Sequence, residues 1–150
     1  MSSSRASSQQ RAPLTGRRIL VIEDEYFLAD DIGHALRTLG AEIAGPVGDI
    51  EDATAMLHGA GVLDGAVLDV NIRTELIYPI ARELRARDVP FVFTTGYDRV
   101  SIKPEFHDVP LWEKPFDIVA MAQTVAELVG HRGRHDAQPG ASPPTSRNGE

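Results

Sequence analysis

The sequence predicts an α/β fold with a doubly wound, five-stranded parallel sheet. Short apolar runs alternate with stretches of helical spacing, and several of the runs stop abruptly at an acid. Parallel neighbours need a crossover connection, so strand and helix alternation implies helices on both faces of the sheet. A length of 150 residues with 42% hydrophobic content suits one domain with a real core.

The elements follow in order. Residues 17–22, Arg-Arg-Ile-Leu-Val-Ile, end at Glu23-Asp24-Glu25, as a strand buried on both faces would. Leu28, Ile32, Leu36 and Leu39 then recur at spacings of four, four and three, one face of a helix, with Gly40 as the stop. Residues 41–44 form a short strand before Gly45-Pro46, and Asp49 caps a helix running to about His58. Residues 65–70, Gly-Ala-Val-Leu-Asp-Val, are the next buried strand. Ile77, Ile80, Ala81 and Leu84 mark a third helix, and residues 89–95 a strand that Gly96 breaks. Residues 110–114 form the fifth strand, after which Asp117 caps a helix carrying Ile118, Met121, Val125 and Leu128. Between Thr95 and Lys114 the stretch is too polar and too short to give a helix a buried face, and Pro104 falls where one would run. A helix there is predicted to be missing, very short or mobile.

Composition narrows the chemistry. There are no cysteines, which excludes disulfides, zinc–thiolate sites and a cysteine nucleophile. No run is apolar enough for a signal peptide or a membrane span, so a cytoplasmic protein is expected. Residues 1–16 and 131–150, rich in Ser, Gln, Pro, Gly and charge, read as a disordered leader and tail around a folded segment 17–130. His131 and His135 in the tail read as solvated rather than metal-bound. Net charge is −7, but four Arg and no acid stand in residues 1–18, and three Arg against two acids in 131–150. Residues 19–130 therefore carry eight bases and twenty acids, a balance that repels a phosphate backbone and argues against direct nucleic-acid binding.

In sheets of this kind ligands gather at the carboxyl ends of the strands. Glu23, Asp24, Asp69, Thr95 and Lys114 stand at those ends. Carboxylates brought together there repel unless a cation neutralises them or a proton is kept. Oxygen-only ligation points to Mg²⁺, with Asp24 and Asp69 as direct ligands, Glu23 orienting water and the main-chain carbonyl of Asn71 completing the protein's share. Lys114 supplies a point charge for a phosphoryl oxygen or for Asp69, and the Thr95 hydroxyl can donate to a second oxygen. An aspartate so held can attack phosphorus and form an acyl phosphate. The bland alternatives are helix-capping acids at Asp24 and Glu25, a turn at Asp69, a strand-favouring Thr95 and a lysine that merely precedes proline.

Ile-Leu-Val-Ile-Glu23-Asp24-Glu25, Val-Leu-Asp69-Val-Asn71, Phe-Thr-Thr95-Gly96 and Glu-Lys114-Pro115-Phe116, in that order, resemble the signature of the receiver domain of two-component response regulators over about residues 17–130. The resemblance implies a flavodoxin-like fold and phosphorylation of Asp69 by the phosphohistidine of a sensor histidine kinase or histidine phosphotransfer protein. It implies Mg²⁺ at Glu23, Asp24 and the Asn71 carbonyl, Thr95 and Lys114 as sensors of the phosphoryl group, and a cis Lys114–Pro115 bond. Pro90-Phe91-Val92-Phe93-Thr94-Thr95-Gly96-Tyr97 is also similar to the Pro-Phe-x-Phe-Ala-Thr-Gly motif of the FAT GUY regulators, stand-alone receivers of alphaproteobacterial stress signalling, with Thr94 in place of Ala.

The departures from that pattern are specific. Val-Asn-Ile-Arg-Thr-Glu follows Asp69 without the usual Met-Pro and glycine-rich loop. Leu111 occupies the place of a common switch aromatic, and Trp112 faces the other side by strand alternation. Tyr97 stands where a side chain can gate water, or simply packs on the surface. Tyr26, Phe27 and Asp30 begin a partly exposed helix face suited to docking a kinase or phosphotransfer partner, while His34 and His58 read as exposed helix residues. With no output domain in view, the expected protein is a single-domain regulator signalling through altered binding to a downstream protein of unknown identity. It would be no enzyme beyond catalysing its own phosphorylation and dephosphorylation. A Mg²⁺-dependent small-molecule phosphatase or phosphotransferase, and an interaction module working without phosphorylation, remain as alternatives.

Overall fold

The structure, a computed structural model, describes residues 11–59, 61–73, 75–96 and 102–137, the last five of these through their backbone alone. In chain order the elements are β1 (Arg18–Ile22), α1 (Tyr26–Thr38), β2 (Glu42–Val47), α2 (Ile50–Gly59), β3 (Gly65–Asp69), β4 (Asn71–Ile72), β5 (Glu75–Leu76), α3 (Tyr78–Ala86), β6 (Phe91–Thr95), a 3₁₀ turn (Pro104–Phe106), β7 (Leu111–Glu113) and α4 (Ile118–Ala137). Five strands form one sheet in the order β2-β1-β3-β6-β7, and each neighbouring pair is parallel. The expected α/β fold class with a five-stranded parallel sheet is therefore present, and among the described residues four α-helices flank the sheet.

Alternation along each strand divides the core. Ile19, Val21, Val67 and Val92 face Ile32 and Leu36 of α1 and Met121, Val125 and Val129 of α4. Leu20, Ile22, Leu68, Phe91 and Phe93 face Ala53 and Leu57 of α2 and Ile80 and Leu84 of α3. Successive side chains point to opposite faces of a strand, so both parities must be apolar when helices cover both sides. Each fully buried Leu or Ile contributes roughly 1.5–3 kcal/mol, and these contacts hold the strand ends in register. Gly65 allows α4 to approach closely, since a Cβ there would lie 2.9 Å from Val129 Cγ2.

The helix starts follow local chemistry. The Asp52 N–H donates to Asp49 Oδ1 at 2.7 Å and the Ala120 N–H to Asp117 Oδ1 at 3.0 Å, which satisfies donors that the first helical turn leaves open. Gly40, with φ +101°, ends the α1 connection in a backbone conformation that an L side chain resists.

Several expectations change. Leu14 is fully buried beside α1 and α4, and the α4 backbone is helical to Ala137. Apolar burial of Leu14 is reinforced by its N–H donating to the Leu39 carbonyl at 2.8 Å. Residues 1–10 and 138–150 lie outside the described residues, as do Tyr97 and the rest of 97–101. Within 102–110 the helical element is the 3₁₀ turn, but the segment does bury a face. Phe106 is fully enclosed, stacked on Tyr78 at 5.3 Å and edge-on to Phe93 at 5.6 Å. Arg82 clasps Glu105 through two 2.9 Å hydrogen bonds, and Arg85 reaches Asp108 at 3.1 Å. One aromatic anchor and two arginine clasps thus seat a segment whose average polarity conceals them. The stretch after Asp69 is an antiparallel hairpin, with Asn71 opposite Leu76 and Ile72 opposite Glu75.

Candidate functional site

The carboxyl ends of β1, β3 and β7 bring Glu23, Asp24, Asp69 and Lys114 together. One carboxylate oxygen from each of Glu23, Asp24 and Asp69 lies within 4.8 Å of the others. Glu23 and Asp69 are buried and Asp24 is half-buried. The Lys114 ammonium donates to Asp69 Oδ2 at 3.0 Å, to Glu23 Oε2 at 3.1 Å and to Glu25 Oε2 at 2.7 Å. Its place is fixed from behind by the Lys114 N–H, which donates to the Thr95 carbonyl at 2.7 Å. Lys114–Pro115 is cis.

Backbone donors hold the acids. Glu23 Oε2 accepts the Glu25 N–H at 3.0 Å, Asp69 Oδ1 accepts the Asn71 N–H at 3.1 Å, and Asp24 Oδ2 accepts the Arg73 N–H at 3.1 Å. Glu23 Oε1 is buried without a hydrogen-bond partner among the described residues. Burial first, and then the charge of Asp69, push the Glu23 carboxyl up to about 8. Asp69 is also raised, chiefly by burial, against the opposing pull of Lys114. Burial would lower the Lys114 ammonium, but its hydrogen bonds to Glu25 and Asp69 and the nearby acids outweigh burial and raise it. The pocket is therefore short of positive charge, with a proton retained that a cation could replace.

An orphaned buried oxygen, a three-acid cluster and an oxygen-only donor set fit a hard divalent cation such as Mg²⁺. Asn71 lies beside Asp69, contacting it through its N–H, while its side chain is exposed. Thr95 is buried at the end of β6, its Oγ1 a long 3.5 Å from the Gly96 carbonyl. Thr94 points to the α1 and α4 face with Val92, and its buried hydroxyl has no hydrogen-bond partner among the described residues. Leu111 is exposed, whereas Trp112 packs towards that same face, edge-on to Phe116 at 6.1 Å. Tyr26 and Phe27 are 77% and 79% exposed, and His34 is exposed too. His58, also exposed, pairs with Glu83 at 3.0 Å.

Glu25 and Arg73 are contacts the sequence reading missed. Glu25 belongs to a visible acidic run but reads there as a helix-start acid, and nothing in the sequence announces the hairpin that delivers Arg73. No helix among the described residues is long and apolar enough to cross a membrane.

A parallel sheet of order 2-1-3-6-7, with acids clustered at its carboxyl edge against a lysine from the last strand, defines a receiver-like α/β domain. The chain is similar to SdrG from Sphingomonas melonis Fr1, at 38% identity over 77% of this chain and 98% of that one, TM-score 0.65. It is similar to the BeF3-activated conformation of SdrG from Pseudomonas melonis Fr1, at 36% identity over 75% and 95% of the two chains, TM-score 0.60. A response regulator receiver protein from Sinorhizobium medicae WSM419 matches at 25% identity over 77% and 96%, TM-score 0.66. No protein-family model matches the chain, and no curated protein matches it. The chain belongs to the receiver family of two-component response regulators.

Proposed function

We propose that the chain is a single-domain response regulator that accepts a phosphoryl group on Asp69 from the phosphohistidine of a sensor kinase or phosphotransfer protein. The observation that carries this reading is the Asp69 carboxylate at the end of the central strand, 3.0 Å from Lys114 and within 4.8 Å of Glu23 and Asp24. An Asp69 oxygen attacks phosphorus, the N–P bond of the donor breaks, and the imidazole departs with the bonding electron pair. Glu23, Asp24, Asp69 and the Asn71 carbonyl would hold Mg²⁺, which supplies charge neutralisation for the incoming phosphoryl oxygens. Lys114 then turns from carboxylate partner to phosphoryl partner, and the weakly held Thr95 hydroxyl donates to another oxygen.

Output follows from that rearrangement. Lys114 and Thr95 are joined through their backbone, so a shift of both changes the end of β6 and the following segment up to residue 113, the surface offered to a downstream protein. The similarity to SdrG, 98% of whose chain is covered, supports placement among receivers of this length. The phosphodonor docks on the exposed Tyr26 and Phe27 beside a cleft lined by Glu25, Leu28, Phe116 and Ile118. Incubation with a radiolabelled phosphohistidine protein tests the reading. Label passes to the wild type and not to Asp69→Asn, whereas label on both, or on neither, counts against it.

A further inference from the structure

We propose that Arg73 is a positioning residue for the divalent-cation site, fixing the Asp24 carboxylate through the hairpin that follows Asp69; this rests on the receiver reading above. Asp24 is the half-buried member of the acid cluster, and the Arg73 main-chain N–H supplies its hydrogen bond, 3.1 Å to Oδ2. That N–H is aimed at Asp24 because Arg73 adopts φ +58°, a left-handed conformation that a residue with a Cβ seldom takes. Two ties hold it there. The β4 and β5 ladder flanks the tip, and Arg73 Nε donates to the Gly48 carbonyl at 3.3 Å.

Gly48 sits directly against the acid loop, where a Cβ would lie 3.4 Å from Asp24 Cα and 3.6 Å from the Glu23 carbonyl. Arg73 therefore joins the loops after β1, β2 and β3 at one carboxylate. The same hairpin holds Asp69 Oδ1 through the Asn71 N–H at 3.1 Å, so one element orients two acids of the cluster. Outer partners of this kind fix ligand orientation and raise metal affinity without touching the ion.

The test is calorimetric titration of Mg²⁺ into wild type, Arg73→Ala and Arg73→Gly, beside their metal-free melting temperatures. Arg73→Ala removes the Gly48 tie, and Arg73→Gly removes it while relieving the left-handed backbone. Both variants are expected to weaken Mg²⁺ about three- to tenfold, the worth of one partly exposed hydrogen bond. Arg73→Gly does so while holding or raising the melting temperature, a combination that general loosening would not produce. Their phosphorylation by a small acyl phosphate donor slows at low Mg²⁺ and recovers at saturation. Unchanged or tighter Mg²⁺ binding in both variants overturns the inference alone, as does a loss of affinity that only follows a loss of stability. A wild type that binds no Mg²⁺ overturns the receiver reading and this inference with it.

Discussion

The Lys114 ammonium stands 3.0 Å from the Asp69 carboxylate, joining the end of the last strand of the sheet to the end of the central one. The same ammonium reaches Glu23 at 3.1 Å, so one mostly buried cation serves two buried acids. Removing one member of a buried ion pair leaves the other uncompensated and costs about 3–5 kcal/mol. Lys114→Ala is expected to lose stability of that order near pH 8.5, and less near pH 6, where Glu23 can hold a proton. Urea denaturation at the two pH values measures the difference.

The elevated Glu23 carboxyl makes stability depend on pH with a definite sign. The folded state keeps a proton up to about 8 that the unfolded chain releases above its ordinary 4.5. That contribution is complete below 4.5 and is lost as pH rises through about 8. Its size is on the order of a few kcal/mol. Mg²⁺ replaces the proton, so the rise in melting temperature on adding Mg²⁺ is expected to grow between pH 6 and pH 9. In Glu23→Gln the metal-free melting temperature varies less with pH over the same range. Thermal scans with and without Mg²⁺ check both statements.

Two exposed aromatic rings, Tyr26 and Phe27, pack edge-on to each other at 5.4 Å at the start of α1. Aromatic anchors carry much of the energy of protein interfaces. The double variant Tyr26→Ala, Phe27→Ala is expected to accept phosphoryl groups from a small donor within about twofold of wild type, because neither ring holds the acids. Transfer from a phosphohistidine protein is expected to fall at least tenfold, roughly the loss of one such anchor. Parallel rate measurements with the two donors separate docking from chemistry.

Phe106 anchors the segment between the 3₁₀ turn and β7. Replacing it by Ala removes a ring enclosed by Tyr78, Phe91 and Phe93, at a cost of about 3–5 kcal/mol. Chemical denaturation of Phe106→Ala is expected to show that loss, while the Asp69 adduct still forms.

The sheet and four helices were legible because burial on both faces writes continuous apolar runs into β1, β3 and β6, and amphipathic spacing marks α1 and α3. The acids of the site were legible because they close the apolar runs of β1 and β3, and Lys114 because it ends the short last strand just before Pro115. The hairpin at Asn71–Leu76 was not, since two-residue strands carry no periodicity to read. Phe106 was hidden for a related reason. A single aromatic among prolines and charges says little until the residues around it in space, Tyr78 and Arg85, are known. The third bond of Lys114, to Glu25, depends on how the loop turns after Asp24, which the apolar pattern does not encode.

Intact mass before and after incubation with Mg²⁺ and a small acyl phosphate donor, with Asp69→Asn and a chelator as controls, addresses the phosphoryl chemistry of Asp69 most directly. The expected result is one phosphoryl adduct on the wild type that requires Mg²⁺ and is absent from Asp69→Asn. An adduct that survives Asp69→Asn, or one that forms equally well in chelator, would contradict it.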